Sequence, residues 1–351
     1  MDSNNAYQGV QALRFLAAFM VVVTHATFYF SSRVDASFSI WPHGAQGVSI
    51  FFVISGFVMM LTSRSLIERR DGYLRFIVSR VIRIVPTYWL VNVVKLAVWF
   101  ALPTAVFASP DYIHIALSYF FIPARSLNGA IEPFYGVGWT LNFEMFFYVL
   151  FALTIYLRWR LIESVGVVLI SLSFLSIYKE PGWPAFGFLA NSIVINFLYG
   201  MIIAEVVHLK VLVPKVASLG SLILGFVVIF FLPELPLLGL QYAMFVAGVV
   251  FLENNIKGKI PRLILFGGDA SYSLYLIHPM VGPAIASVML HLHVRNPYIT
   301  ICAIVISSLI AGSVLYFLFE KPVGRYLKKL YSTGSHPRSS FQERSLEKGA
   351  D

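Results

Sequence analysis

Ten long apolar runs, parted by short polar connections, dominate this chain of 351 residues. Only 12% of the residues are charged and 58% are hydrophobic, whereas a soluble domain carries roughly a quarter charged residues. Each run reaches, or nearly reaches, the roughly 20 residues that cross about 30 Å of hydrocarbon. The expected fold is therefore an all-α integral membrane protein, a bundle of about ten transmembrane helices. The approximate spans are 11–30, 45–62, 81–102, 138–157, 164–178, 187–207, 216–232, 236–253, 271–290 and 298–319. Runs 164–178 and 216–232 are short, so their limits are the least defined.

The connections alternate in charge. One set holds Arg64, Arg69, Arg70, Arg75, Arg80 and Arg83, then Arg158 and Arg160, Lys210 and Lys215, Lys257, Lys259 and Arg262, and Lys321 onward. The other set holds only Arg33, Arg125, Lys179 and Arg295. The positive-inside rule then puts both termini in the cytoplasm, which agrees with an even number of spans. It also explains the net charge of +9 without a nucleic-acid partner. Cys302 is the only cysteine, so no internal disulfide forms. No small-residue cleavage site follows the first run, which reads as a retained helix. Segment Asp111–Ile122 is apolar but too short to span. Pro103, Pro110, Pro123 and Pro133 make the 103–137 connection irregular; it reads equally as an acceptor cleft or as a plain link. The expected organisation is one membrane domain, 1–331, with a polar, disordered tail over 332–351.

Against this apolar background the polar residues stand out. Arg14 and His25 lie eleven positions apart in the first run, GVQALRFLAAFMVVVTHATFYF. That is almost three helical turns, so both point the same way, about 16 Å apart along the axis. Ionisable groups inside a span mark function by default. His25 is suited to accept and return a proton; a histidine hydrogen-bonded across helices is the other reading. Arg14 suits an anion at the cytoplasmic mouth, or it snorkels to headgroups. Glu144, in GVGWTLNFEMFFY, lies about 7 Å inward of Trp139 at a depth comparable to His25. It reads as the carboxylate that orients His25, as in hydrolytic triads, or as a structural partner for Lys95. Arg80 and Arg83 share a helix face at i, i+3 and clamp phosphates, or form a lipid-facing collar. Ser271, Tyr272, Ser273, Tyr275 and His278 put hydroxyls and an imidazole on the run GDASYSLYLIHPM. They line a buried ligand, or they hydrogen-bond between helices. There is no phosphate-binding lysine loop, HExxH, Cys/His cluster or GxSxG elbow, so neither a resident metal nor a nucleotide-driven pump is expected.

Five strings occur in order: Arg-x10-His, FFVISGFVM after Gly47-Val48, RxxR at Arg80–Arg83, W-T-L-x-x-E-x-x-F-Y from Trp139, and SYSLYLIHP. Together, over about residues 8–330, they resemble the membrane-bound acyltransferase-3 family of bacteria, in particular its exopolysaccharide-production and sugar O-acetyltransferase branch. The resemblance implies a ten-helix enzyme of the bacterial cytoplasmic membrane. Its donor substrate would be cytoplasmic acyl-CoA, usually acetyl-CoA. Its acceptor would be a hydroxyl of a polysaccharide or lipid-linked sugar. Carried over, Arg14 and His25 match the essential basic pair, Arg80 and Arg83 the RxxR positions, and Glu144 the acid of the tryptophan motif. Thr140 stands where serine is more usual and keeps the hydroxyl. Some relatives carry a fused extracytoplasmic esterase-like domain; here transfer is expected to finish on this chain or on a separate partner.

The combined expectation is a membrane O-acyltransferase. His25 is the base and Glu144 its orienter, with an acyl-histidine as the alternative route. Arg14, Arg80 and Arg83 hold the CoA phosphates, and Tyr272, Ser273 and His278 line the donor site. A flippase for a lipid-linked sugar also suits intramembrane His, Arg and Glu, and a non-catalytic scaffold is the weaker third reading.

Overall fold

The structure is a computed structural model that describes residues 7–102, 111–180, 182–232 and 237–334. Residues 103–110, and with them Pro103 and Pro110, lie outside it, as does the expected tail from 335 on. Among the described residues there is no strand, only one isolated bridge between Arg125 and Ile131. Every expected run returns as helix. The order is α1 Gln8–Arg33, α2 Gly44–Ile67, α3 Gly72–Ala101, α4 Tyr112–Tyr119, α5 Trp139–Tyr156, α6 Leu161–Leu175 and α7 Ile195–His208. Then follow α8 Lys215–Phe231, α9 Leu240–Phe251, α10 Glu253–Ile256, α11 Arg262–Asp269, α12 Ser271–His291, α13 Pro297–Leu315 and α14 Lys321–Gly334. In lipid no water satisfies the backbone, and a helix is the one open segment that satisfies itself.

Seven segments are long and apolar enough to cross a membrane: Gln8–Arg33, Gly44–Ile67, Gly72–Ala101, Gly136–Tyr156, Leu161–Tyr178, Ser271–His291 and Pro297–Ser332. Three further apolar helices, Ser192–His208, Lys215–Phe231 and Leu240–Phe251, are shorter. The chain is thus a multi-pass helical membrane protein.

Several limits differ from the sequence reading. α3 begins at Gly72, nine residues before the apolar run, because an amphipathic turn precedes the span and Arg75 pairs with Asp71 one turn earlier. The 187–207 run becomes regular helix only at Ile195. Before it, Asn191 accepts from the Ile193 N–H at 3.0 Å and caps a short 3-10 turn. α14 continues through Ser332 to Gly334. A π-helical turn at Tyr316–Glu320 joins α13 to α14 in one rod.

The segment too short to span is the eight-residue α4, capped by the Asp111 carboxylate on the Ile113 N–H. Its connection onward to α5 is tied to the bundle. His114 Nε2 contacts Glu132 O at 2.7 Å, Tyr88 OH donates to Ser118 O at 3.2 Å, and Lys95 donates to Phe134 O. Lys95 therefore finds a backbone carbonyl and not Glu144.

The centre of the bundle is set by α1, α2, α5, α7 and α12. α2 and α7 cross backbone to backbone: a Cβ on Gly56 would lie 2.0 Å from Phe197 O, and one on Gly200 2.0 Å from Val53 O. Small residues allow such approach where lipid gives no hydrophobic drive between helices. Phe147 and Phe197 stack beside this crossing with centroids 4.0 Å apart.

Candidate functional site

The α2–α7 crossing leaves room on the other side of α2. There α1, α2, α3, α5 and α12 line a partly open cavity of about 110 Å³. Helical spacing explains its lining. Phe51, Ser55, Val58 and Thr62 form one face of α2, and Thr140, Glu144 and Tyr148 one face of α5. Arg80 and Arg83 come from α3, Arg14 from α1, and Ser271, Tyr272 and Tyr275 from α12.

The cavity is cationic. Arg14 is 8% exposed and Arg80 9%, so neither snorkels to headgroups nor belongs to a lipid-facing collar. Arg14 Nη1 donates to Gln11 Oε1 at 3.0 Å, and Gln11 Nε2 donates to Asp269 Oδ1 at 2.8 Å. Arg80 donates to Thr62 Oγ1, and its guanidinium lies 5.3 Å from the centre of the Phe76 ring. Its Nε is buried with no partner. Arg83 makes no hydrogen bond among the described residues. The ion pairs of the described chain lie elsewhere, at Arg64–Glu205, Arg69–Asp71, Arg75–Asp71 and Arg160–Glu163. Three guanidiniums thus share one cavity without a carboxylate at contact distance. Burial pushes the Asp269 carboxyl upward, opposed by the positive charge of Arg14, Lys321 and Arg83.

Glu144 is the acidic residue of the lining. Tyr148 OH donates to its Oε1 at 2.6 Å and Ser55 Oγ at 3.3 Å. The expected Glu144–His25 hydrogen bond is not formed. Their side chains meet different neighbours: Glu144 faces the arginine cavity, and His25 lies against α12. His25 Nδ1 contacts Val21 O at 3.0 Å, and its ring centre is 4.9 Å from that of His278.

α12 also divides its residues. Tyr272 lines the cavity and donates to Ile84 O at 2.8 Å, two residues before Pro86 within α3. Ser273 and His278 do not line it. Ser273 turns away and donates to Glu320 in the π-helical turn. His278 lies beyond Tyr275, with ring centres 5.9 Å apart. Tyr275 OH is 3.0 Å from both Thr140 Oγ1 and Val137 O. Tyr275 thus borders the arginine cavity and also neighbours His278.

Sequence reasoning missed Tyr148, Asp269 and Glu320. Tyr148 is one turn from Glu144 within the tryptophan motif, and Glu320 directly follows the last apolar run. Both were visible signals. Nothing local marks Gln11 or Thr62, whose roles depend on a second helix.

Comparison with known proteins identifies the family. A family profile described as an acyltransferase domain, that of acyltransferase-3, matches residues 7–317. The chain is 36% identical over 300 residues to the exopolysaccharide production protein ExoZ of Rhizobium meliloti (strain 1021). That alignment covers 80% of this chain and 90% of the relative. No solved structure matches.

Proposed function

The chain belongs to the acyltransferase-3 family, and on that premise we propose a membrane O-acyltransferase that moves an acyl group, typically acetyl, from cytoplasmic acyl-CoA to a carbohydrate hydroxyl. One observation carries the donor half: Arg14, Arg80 and Arg83 converge on one cavity and meet no carboxylate at ion-pair distance. Guanidiniums bind phosphate oxygens bidentately, and CoA is a phosphate-rich ligand. The acceptor half rests on the relative, whose name places it in exopolysaccharide production. The acceptor is accordingly an exopolysaccharide or its lipid-linked precursor.

The chemistry follows from the placement. CoA phosphates dock on the arginines, and the acyl thioester points toward Thr140 and Tyr275. The sugar hydroxyl enters from the opposite end and gives its proton to His25 as its oxygen attacks the acyl carbon. The C–S bond breaks, and the departing thiolate takes up the proton. Glu144 offsets part of the arginine charge and is itself fixed by Tyr148 and Ser55. The protein resides in the bacterial cytoplasmic membrane, with its arginine-rich connections in the cytoplasm.

The test is transfer of labelled acetyl from acetyl-CoA into polysaccharide by proteoliposomes, together with NMR of polysaccharide from a deletion strain. Polymer present but lacking its ester is the expected phenotype. Polymer absent from the deletion strain, with no transfer in proteoliposomes, would replace the enzyme reading by a flippase.

A further inference from the structure

We infer that Tyr275 is the oxyanion donor of the transfer: its hydroxyl hydrogen-bonds the thioester oxygen as the acyl carbon turns tetrahedral, and Thr140 frees it to do so. The inference rests on the acyltransfer reading above and adds to it a catalytic residue, Tyr275, and a positioning residue, Thr140.

Attack on a thioester puts negative charge on its oxygen, and a preorganised donor in a site that excludes water stabilises that charge best. A buried hydroxyl is available for this only if its proton can leave its present acceptor without stranding it, because a buried carbonyl that loses its donor is costly.

Thr140 and Tyr275 meet that condition together. Tyr275 OH donates to Val137 O at 3.0 Å, and Thr140 Oγ1 donates to the same oxygen at 3.2 Å. The two hydroxyls are 3.0 Å from each other. Two protons thus serve one carbonyl. Thr140 keeps Val137 O satisfied while the Tyr275 proton swings into the cavity. Both residues are buried, and both line the arginine cavity. The Tyr275 ring is flanked by Phe51 and His278, with centres 6.2 and 5.9 Å away. Turning the O–H about its C–O bond moves no heavy atom of this packed set.

Position selects Tyr275 among the lining hydroxyls. Thr62 receives the Arg80 N–H, and Tyr272 donates to Ile84 O next to Arg83; both belong to the phosphate end. Tyr148 and Ser55 donate to the Glu144 carboxylate, a charged acceptor that holds a donor more strongly than a neutral one. Tyr275 stands where the lining passes to the histidines. Its ring neighbours His278, and the ring centre of His278 is 4.9 Å from that of His25. A carbonyl held at Tyr275 has the arginines on its CoA side and His25 on its acceptor side.

The step balances. The sugar oxygen bonds the acyl carbon, and its proton goes to His25 Nε2, the nitrogen not engaged by Val21 O. The carbonyl π pair moves onto the thioester oxygen, which accepts the Tyr275 O–H without taking its proton. When the C–S bond breaks, that pair re-forms the C=O bond and the thiolate takes the proton from His25. The Tyr275 hydroxyl returns to Val137 O, and nothing else is consumed.

Tyr275→Phe removes one hydroxyl and leaves Val137 O to Thr140. It should keep the acetyl-CoA Kd in calorimetry and lose about 100- to 1000-fold in kcat, the range for one oxyanion donor. Thr140→Ser should behave as the parent. Thr140→Val should also lose kcat, because Val137 O then holds the Tyr275 proton, but it should lose nothing further in a Tyr275→Phe background. Equal losses in both backgrounds would reject the role of Thr140. Infrared spectra of acetyl-CoA labelled at its carbonyl carbon give a reading without turnover: the bound thioester stretch should lie lower in the parent than in Tyr275→Phe. Near-normal kcat in Tyr275→Phe overturns the inference. So does an unchanged carbonyl stretch, or a lost affinity for acetyl-CoA, which would make Tyr275 a donor-binding residue. A parent protein that binds acetyl-CoA but moves no acetyl to polysaccharide would instead overturn the acyltransfer reading itself.

Discussion

Arg83 faces the cavity with no hydrogen bond or ion pair of its own among the described residues, so Arg83→Ala separates ligand binding from folding. Arg80 is the contrast. It donates to Thr62 Oγ1 and lies over Phe76, so its loss removes protein contacts as well as a ligand site. Arg83→Ala sacrifices no such contact and relieves repulsion from Arg14 and Arg80. Its thermal stability should stay within about 0.5 kcal/mol of the parent, as for substitutions away from packed or bonded features. A charge-assisted hydrogen bond contributes about 1.5–3 kcal/mol. At about 1.4 kcal/mol per tenfold, the Kd for acetyl-CoA should rise roughly 10- to 150-fold. Arg83→Lys should recover part of this, since lysine keeps the charge without the planar fork. Arg80→Ala should lose both affinity and melting temperature. Isothermal titration and thermal unfolding on the same detergent-purified preparations give both readings. An unchanged Kd in Arg83→Ala would refute the reasoning, because an unpaired cavity guanidinium would then not be a phosphate ligand.

Two other outcomes follow from the same structure. Gly200→Ala should destabilise the bundle by about 1–3 kcal/mol, the range for overpacking, because its Cβ would meet Val53 O at 2.0 Å; thermal unfolding checks this, and an unchanged melting temperature counts against the close α2–α7 crossing. In a Cys302→Ala background, Ser65→Cys should be labelled by a membrane-impermeant maleimide only after the cells are opened, because it sits in the last turn of α2 beside Arg64 and close before Arg69 and Arg70; labelling of intact cells would invert the orientation.

Much of the architecture could be read directly. Helix existence and type followed from apolar length, and α4 was recognised as too short to cross. The shared face of Arg80 and Arg83 followed from i, i+3 spacing, and both do line one cavity. Helix starts were less legible. α3 opens in an amphipathic turn that carries Arg75 and Asp71, which a hydropathy pattern discounts, and α7 opens only after the Asn191 cap. The pairing within the site was not legible. Glu144 and His25 are expected to pair, yet Glu144 meets Tyr148 and Ser55 while His25 meets His278. Likewise Tyr272 and Ser273 are neighbours in sequence, but one lines the cavity and the other turns to Glu320.

The division has a physical cause. Lipid obliges each span to satisfy its own backbone, and that bonding is local, so the sequence by itself determined where helices form. Rotation of each helix about its axis and the choice of neighbour cost no backbone hydrogen bond. They were decided by tertiary packing, such as the bare backbone contact of Gly56 and Gly200, which brings α2 onto α7 and leaves the opposite face of α2 open to the arginines. Three guanidiniums converging on one cavity, and two histidines from α1 and α12 standing ring to ring, exist only once those rotations are set.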